Sequence, residues 1–208
     1  MSQKEFAFSK SAITRFSHDL AGVISAVSNS LALLDELGGA DQETLKLAAD
    51  NADILMGRLR FFRAAFGNEG PLTDLNVTRR IFEGYLATLE NRVVHYDCVW
   101  QTDSELPIFI FRLILLGGTI AVESLPRGGR ITVQAQAGRR RICFEAEGKT
   151  AVLDPAIQAA LDGSLQDVSS PKAMPAVFLQ ECLFEQGWQA SVSYQDGKTI
   201  LVLSEKEN

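Results

Sequence analysis

Histidine is scarce in this chain, and no cysteine arrangement could staple a fold or hold a metal. Two histidines and three cysteines occur among 208 residues. Cys98, Cys143 and Cys182 are odd in number, far apart and outside any CxxC or metal-ligand spacing. That excludes a disulfide framework and a zinc module, and it suits reduced, buried thiols in a cytoplasmic protein. An excess of positive charge is also missing. The net charge is -6, and the only basic run is 139–141, whereas neutralising nucleic-acid phosphates requires a basic face. A nucleic-acid partner is therefore not expected, and the run reads as a solvated hairpin turn. The opening MSQKEFAFSK lacks a long apolar run followed by a small-residue cleavage site, so no secretory signal is expected. The longest apolar stretch, residues 106–122 (LPIFIFRLILLGGTIAV), is short against the ~20 residues that span a bilayer and contains Arg112. It reads as a buried core helix, and no membrane association is expected.

What is present is dominated by residues 11–37, SAITRFSHDLAGVISAVSNSLALLDEL. With Ile13 at heptad position a, Ile13, Leu20, Val27 and Leu34 fill every a position, and Phe16, Val23 and Leu37 fill three of the d positions, with Ser30 the exception. His18 then falls at f, away from the seam, where its ring faces water or a partner. Ser11, Thr14, Arg15, Asp19, Ala21, Gly22, Ser25, Ser28 and Asn29 share that side and are nearly all small or polar. The expectation is a presented histidine with Asp19 as its companion, on a face where Arg15, Gly22, Ser25 and Asn29 meet a partner.

The turn Gly38-Gly39-Ala40 ends this helix, and Asp41 is a suitable N-cap for a second helix running to about Phe66. A connection this short makes the two helices antiparallel neighbours. The second helix carries seam rows Leu45, Ala52, Leu59, Phe66 and Ala48, Leu55, Phe62, and a further apolar row of Leu47, Ile54 and Phe61. A lone hairpin cannot bury all of them, so it should dimerise into a four-helix bundle, pack on the following domain, or both. The segment GNEGPLTDLN reads as a linker. The division expected is 1–68 for the hairpin, 69–76 for the linker and 77–208 for a second domain.

In the second domain, 77–89 reads as a helix and 93–101 as a strand that includes His95, here assigned a structural role. Pro107 opens the apolar helix. Residues 130–137 and 141–146 alternate like two strands turned at Gly138-Arg139. A short helix over 154–161 ends at Gly163, and Pro171 or Pro175 starts a helix reaching Gln186 with Gly187 as its stop. A final hairpin over 189–194 and 199–203 turns at Asp196-Gly197. Trp100 and Trp188 are expected in the core or partly buried. The fold class is α+β: an antiparallel helical hairpin forming a dimeric four-helix bundle, then an α/β sandwich with mostly antiparallel strands.

A helical hairpin with an exposed His18-Asp19-Leu20, followed by an α/β sandwich whose apolar helix leads into Leu125-Pro126-Arg127-Gly128-Gly129-Arg130, resembles a sensor histidine kinase core. The first part is similar to its dimerisation and phosphoacceptor hairpin, the second to its ATP-binding domain. Counting back from Pro126, however, the magnesium-binding Asn position of that family is held by Ile120, and the neighbouring Asn position by Leu116; neither side chain can ligate a hard cation. In place of an Asp-x-Gly-x-Gly nucleotide loop the chain has Glu145-Ala146-Glu147-Gly148-Lys149. This combination resembles the ChpT-type histidine phosphotransferases of alphaproteobacterial phosphorelays, through HDLAGVISAVSNSLALL, VESLPRGGRITV, AALDG and PKAMPAVFLQECLFEQGW. The resemblance implies that His18 accepts a phosphoryl group from a hybrid kinase's receiver-domain Asp and passes it to response regulators. It also implies a homodimer, no intrinsically bound cofactor, and Mg2+ supplied by the partner receiver domain. Asp19 would orient the ring or accept its proton, and Arg15 would screen phosphoryl charge or meet the partner's acidic residues. Gly22 replaces the Thr or Asn that positions a hydrolytic water in kinases with phosphatase activity. The alternatives are a sensor-type histidine kinase with a divergent nucleotide site, and a non-catalytic adaptor for receiver domains.

Overall fold

The computed structural model describes residues 3–39, 41–67, 72–103, 105–136, 138, 140–165 and 170–206, with side chains from residue 8 onward. Two long helices come first, α1 (Gln3–Glu36) and α2 (Gln42–Phe66). Helix α1 starts eight residues before the heptad pattern does. It stops where Gly38 and Gly39 adopt positive φ, and Asp41 then caps α2 by accepting from the Thr44 N–H at 2.8 Å. Ala40 lies outside the described residues. Helix α3 (Leu75–Ala87) is capped by Asp74, which accepts from the Val77 N–H at 2.9 Å. It begins two residues before the expected start, inside the segment read as a linker; residues 68–71 of that segment lie outside the description.

Strand β1 (Tyr96–Thr102), helix α4 (Ile108–Glu123), strands β2 (Gly129–Gln136) and β3 (Arg141–Glu147), helices α5 (Pro155–Leu161) and α6 (Met174–Glu185), and strands β4 (Trp188–Gln195) and β5 (Lys198–Glu205) complete the chain. The sheet order is β1-β2-β3-β5-β4. Strands β1 and β2 pair in parallel, across the α4 crossover, and the other pairs are antiparallel. Arg139, in the expected β2–β3 turn, lies outside the described residues, while Arg140 there is exposed and paired with Glu205 at 2.5 Å. Asp196 and Gly197 both take positive φ, as a two-residue hairpin turn between twisted strands requires.

Helix α4 is the centre of the sandwich. Residues 113–122 are all buried, which explains its uninterrupted apolar run: it packs against the sheet on one side and against α3, α2 and α6 on others. Its one interior charge, Arg112, is half-buried and donates through Nη2 to the Gly67 carbonyl at 2.7 Å, sealing the end of α2. Among the described residues no helix is long and apolar enough to cross a membrane. Ile120 and Leu116, which stand at the magnesium-ligand positions only by the resemblance drawn above, have no exposed surface and belong to this core.

The hairpin is part of the same core. Phe61, Ala64 and Ala65 of α2 are fully buried together with the residues of α3 and α4, and Phe61 stacks on Tyr85 at 3.9 Å between ring centroids. Phe16, Phe66 and Phe178 continue the contact from α1 through α2 to α6. Several heptad expectations change in this setting. Ile13 and Leu37, assigned to the seam, are 66% and 53% exposed, whereas Ser11 and Ser30, assigned to the open face or as an exception, are buried. Ser30 tolerates this because its hydroxyl donates to the Ala26 carbonyl at 2.8 Å. His95 also differs: it precedes β1 and is exposed, and only its backbone is structural. The Gly129 N–H donates to its carbonyl at 2.9 Å. A Cβ on Gly128, which has φ +75°, would stand 2.3 Å from that same oxygen. The Pro126-Arg127-Gly128-Gly129 motif is thus required by the tight passage from α4 into β2. Trp188 is buried and Trp100 half-buried, the latter donating to Glu83 at 2.8 Å.

Gly117 shows how tightly α4 meets the sheet, since a Cβ there would lie 2.3 Å from the Phe144 ring. Alanine favours a helix over glycine by about 1 kcal/mol, but forcing a methyl into a packed core costs roughly 1–3 kcal/mol, and the fully buried Phe144 has nowhere to move. Gly117→Ala is therefore expected to lower stability by up to about 2 kcal/mol in urea denaturation. Adding Phe144→Leu should recover part of that loss; a purely additive double variant would show that the two sites do not collide.

Candidate functional site

His18 lies halfway along α1, and its side chain is 87% exposed. Nothing packs over it. Beneath it the surface turns polar and closed. Asp19, with 20% of its side chain exposed, places Oδ1 3.4 Å from His18 Nδ1 and accepts through Oδ2 from Arg15 Nε at 2.7 Å. A carboxylate can only accept, so a hydrogen bond along the first contact requires the proton on Nδ1 and leaves Nε2 as the ring's lone-pair nitrogen.

Arg15 does not face outward as the heptad reading expects. Only 17% of its side chain is exposed, and its Nη2 donates to Glu123 Oε1 at the C-terminal end of α4. Burial alone would depress the guanidinium's basicity, but the Glu123 and Asp19 carboxylates outweigh it and hold the charge more firmly than in water. Arg58 of α2 ties the same region from below. Its Nη1 donates to the Asp19 carbonyl at 2.6 Å and its Nη2 to the Thr88 carbonyl, just past α3, at 3.0 Å. Together Arg15, Asp19, Arg58, Tyr85, Tyr96 and Glu123 line much of a cavity of about 350 Å³ between the hairpin and the sandwich. Tyr85 is kept protonated, by burial first and by the Glu123 charge second.

The other expected partner residues fall where the sequence places them. Gly22, Ser25 and Asn29 are exposed on α1, and a Cβ built on Gly22 would meet nothing within 4 Å. They leave a low, open surface beside the imidazole, so His18, Gly22, Ser25 and Asn29 form an outer face, while Asp19 and Arg15 form an inner support. The three cysteines are free, and burial raises each thiol, Cys98 to about 12, so they remain protonated. Among the described residues no group of three or more His, Cys, Asp or Glu could hold a metal ion.

Glu123, Arg58, Thr88 and Tyr85 escaped the sequence reading. Glu123 left a weak signal: it is the one acid of α4 and stands at its last position, where the macrodipole disfavours negative charge. Helices α1 and α6 also end in an acid, Glu36 and Glu185, so the position alone does not mark a partner; for Glu123 the partner is Arg15.

Comparison with known proteins bears on this geometry. A family model, the histidine phosphotransferase C-terminal domain, matches residues 75–198. The protein phosphotransferase ChpT of Brucella abortus (strain 2308) is 29% identical over 127 residues, covering 59% of this chain and 58% of that protein. The match thus spans a little under three-fifths of that relative's length. The solved structure of a bacterial phosphotransferase superposes with a TM-score of 0.80 at 21% identity, covering 98% of both chains, and so shows the same fold. The Acinetobacter baumannii histidine kinase AdeS is more distant, with a TM-score of 0.47 at 12% identity over 92% of this chain and 98% of that one.

Arg58 offers a direct check on how the site is held. Arg58→Met keeps the aliphatic stem but removes both charged donors, so the Asp19 carbonyl keeps only its intrahelical N–H partner and the Thr88 carbonyl loses Arg58. The expected loss is about 2 kcal/mol of stability, with faster amide exchange in the middle of α1; unchanged exchange there would show that the bridge does not fasten the hairpin.

Proposed function

The chain belongs to the ChpT-type histidine phosphotransferases, and from that membership we propose that it relays phosphoryl groups between receiver-domain aspartates through His18. The observation that carries the reading is the 87% exposed imidazole whose Nδ1 is turned to Asp19 while Nε2 is free. In the forward step, the Nε2 lone pair attacks the phosphorus of an aspartyl phosphate. The N–P bond forms as the P–O bond breaks, and the aspartyl carboxylate leaves with the electron pair. The ring keeps its Nδ1 proton, now shared with Asp19, and the positive ring is a good leaving group for the return step to a second receiver. The receiver's own acidic pocket supplies the Mg2+ that offsets charge on the phosphoryl oxygens, and the phosphotransferase binds no cofactor of its own.

A kinase reading is disfavoured by the burial of Ile120 and Leu116 in the aliphatic core, where no ligand to a nucleotide's metal could form. We place the second domain as scaffold and docking surface, and the protein in the cytoplasm with the receivers it serves. The functional unit in this reading is a homodimer. Ile13, Ile24, Leu31, Leu45 and Leu59 of the hairpin are each between 39% and 66% exposed, an apolar row that a second copy would cover as a four-helix bundle.

Two experiments test these statements. Wild-type protein should take acid-labile label from a phosphorylated receiver domain of a hybrid kinase and none from ATP alone, and His18→Gln should take none from either. Label that persists on His18→Gln removes the role assigned to His18, and label from ATP makes the protein a kinase. Separately, the double variant Ile24→Glu, Leu31→Glu should sediment as a monomer where wild type sediments as a dimer; a wild-type monomer at micromolar concentration would refute the bundle.

A further inference from the structure

We infer that Glu123, on the second domain, is a positioning residue for His18: by occupying one arm of the Arg15 guanidinium it keeps Asp19 singly bonded and free to hold the imidazole. The inference rests on the phosphotransfer reading and extends it to a residue outside the hairpin.

The argument is one of competition for donors. The Nε and Nη2 groups of an arginine form one edge of its fork, matched in spacing to the two oxygens of a single carboxylate. Arg15 and Asp19 are one helical turn apart, so nothing in α1 prevents a two-point pair between them. Such a pair would draw both Asp19 oxygens to Arg15 and away from His18. Here the fork is divided. Nε donates to Asp19 Oδ2 at 2.7 Å, Nη2 donates to Glu123, and Asp19 Oδ1 is left facing His18 Nδ1 at 3.4 Å. The division depends on a second anion at Nη2, and α4 supplies it from the end of a helix where an acid is otherwise disfavoured.

Among the described residues lining the cavity, Arg15 has no anion besides Asp19 and Glu123. The charged or titratable groups lining the same cavity are Arg58 from α2, Tyr85 from α3 and Tyr96 from β1. Arg58 is committed to two backbone carbonyls, and Tyr96 Oη donates to the Leu125 carbonyl at 3.2 Å. Glu123 is thus the group that decides whether Arg15 takes one Asp19 oxygen or two. The second domain then contributes to the transfer site itself, and a shift of α4 relative to α1 would change the hold on the imidazole without touching it.

The test compares Glu123→Gln, Glu123→Ala and Glu123→Asp in the full chain. Single-turnover label transfer is measured from a phosphorylated receiver domain of a hybrid kinase, and the His18 tautomer is read by nitrogen-15 NMR of the unphosphorylated protein. Glu123→Gln and Glu123→Ala should slow transfer roughly tenfold, as expected when a reacting group loses its orientation but not its chemistry. Both should move His18 from the Nδ1–H form toward the Nε2–H form at an unchanged melting temperature, and Glu123→Asp, which keeps the charge, should restore most of both. A wild-type tautomer and rate in Glu123→Gln and Glu123→Ala would overturn the inference. So would a loss that Glu123→Asp does not relieve and that tracks the melting temperature. If wild type itself accepts no label, the phosphotransfer reading has failed, and the tautomer measurement still decides whether Glu123 governs the Asp19 contact.

Discussion

The burial of Phe61 between α2 and the sandwich is the constraint from which the remaining geometry follows. Phe61 has no exposed surface and stacks on Tyr85 of α3, so the lower half of the hairpin cannot swing away without opening the core. Burying such a ring against a close aromatic neighbour stabilises by roughly 2–3 kcal/mol, which is more than one polar contact supplies. With the lower hairpin fixed, α1 is carried past the end of α4 at a set distance, and Arg15 can reach Glu123. Arg58, three residues before Phe61 on the same helix, is fixed with it and ties Asp19 to the end of α3. The histidine is held by no contact above it and depends wholly on this support from below.

Periodicity located most of the architecture, because the strongest patterns in the chain coincide with burial on one side. The N-cap at Asp41, the Asp196-Gly197 turn and the α6 stop at Gly187 were legible for a different reason: each is a local backbone requirement met by one or two residues. The heptad register predicted correctly that His18 faces out, since position f is remote from any seam. It misplaced Ser11 and Ser30, which are buried, and in the single chain Ile13 and Leu37 stay exposed, Ile13 in the row assigned above to a second copy. Here one row is spent on the sandwich and another is left at the surface. A register carries no information about which of several apolar faces meets which neighbour.

Arg15 shows the same limit in charge. From sequence it is an arginine one turn before a presented histidine, and its helical position gives no reason to turn inward. What turns it inward is an anion 108 residues later, reached only after α4 has crossed the sheet. Long-range ion pairs leave little trace in a single sequence, since either partner alone resembles a solvated charge. The position of Glu123 at the C-terminal end of α4 runs against the helix dipole, but α1 and α6 end in an acid as well, so it does not single out this pair.

The second domain packs Leu116 and Ile120 into a dense core built on helix α4, the glycine turn after it and the sheet. The packing explains why those parts stay. Helix α4 must be apolar nearly all round to fill the sandwich, and Gly117 and Gly118 must be bare to admit the Phe144 and Phe82 rings. Gly128 must be bare to pass the His95 backbone. These demands hold whether or not a nucleotide binds. They also place the last residue of α4 at the base of α1, so the second domain reaches the hairpin through one carboxylate at its edge. The sandwich thereby supports the hairpin: without it Phe61 would lose Tyr85, Arg15 would lose Glu123 and Arg58 would lose the Thr88 carbonyl, leaving Asp19 beside His18 with Arg15 as its partner on the same helix.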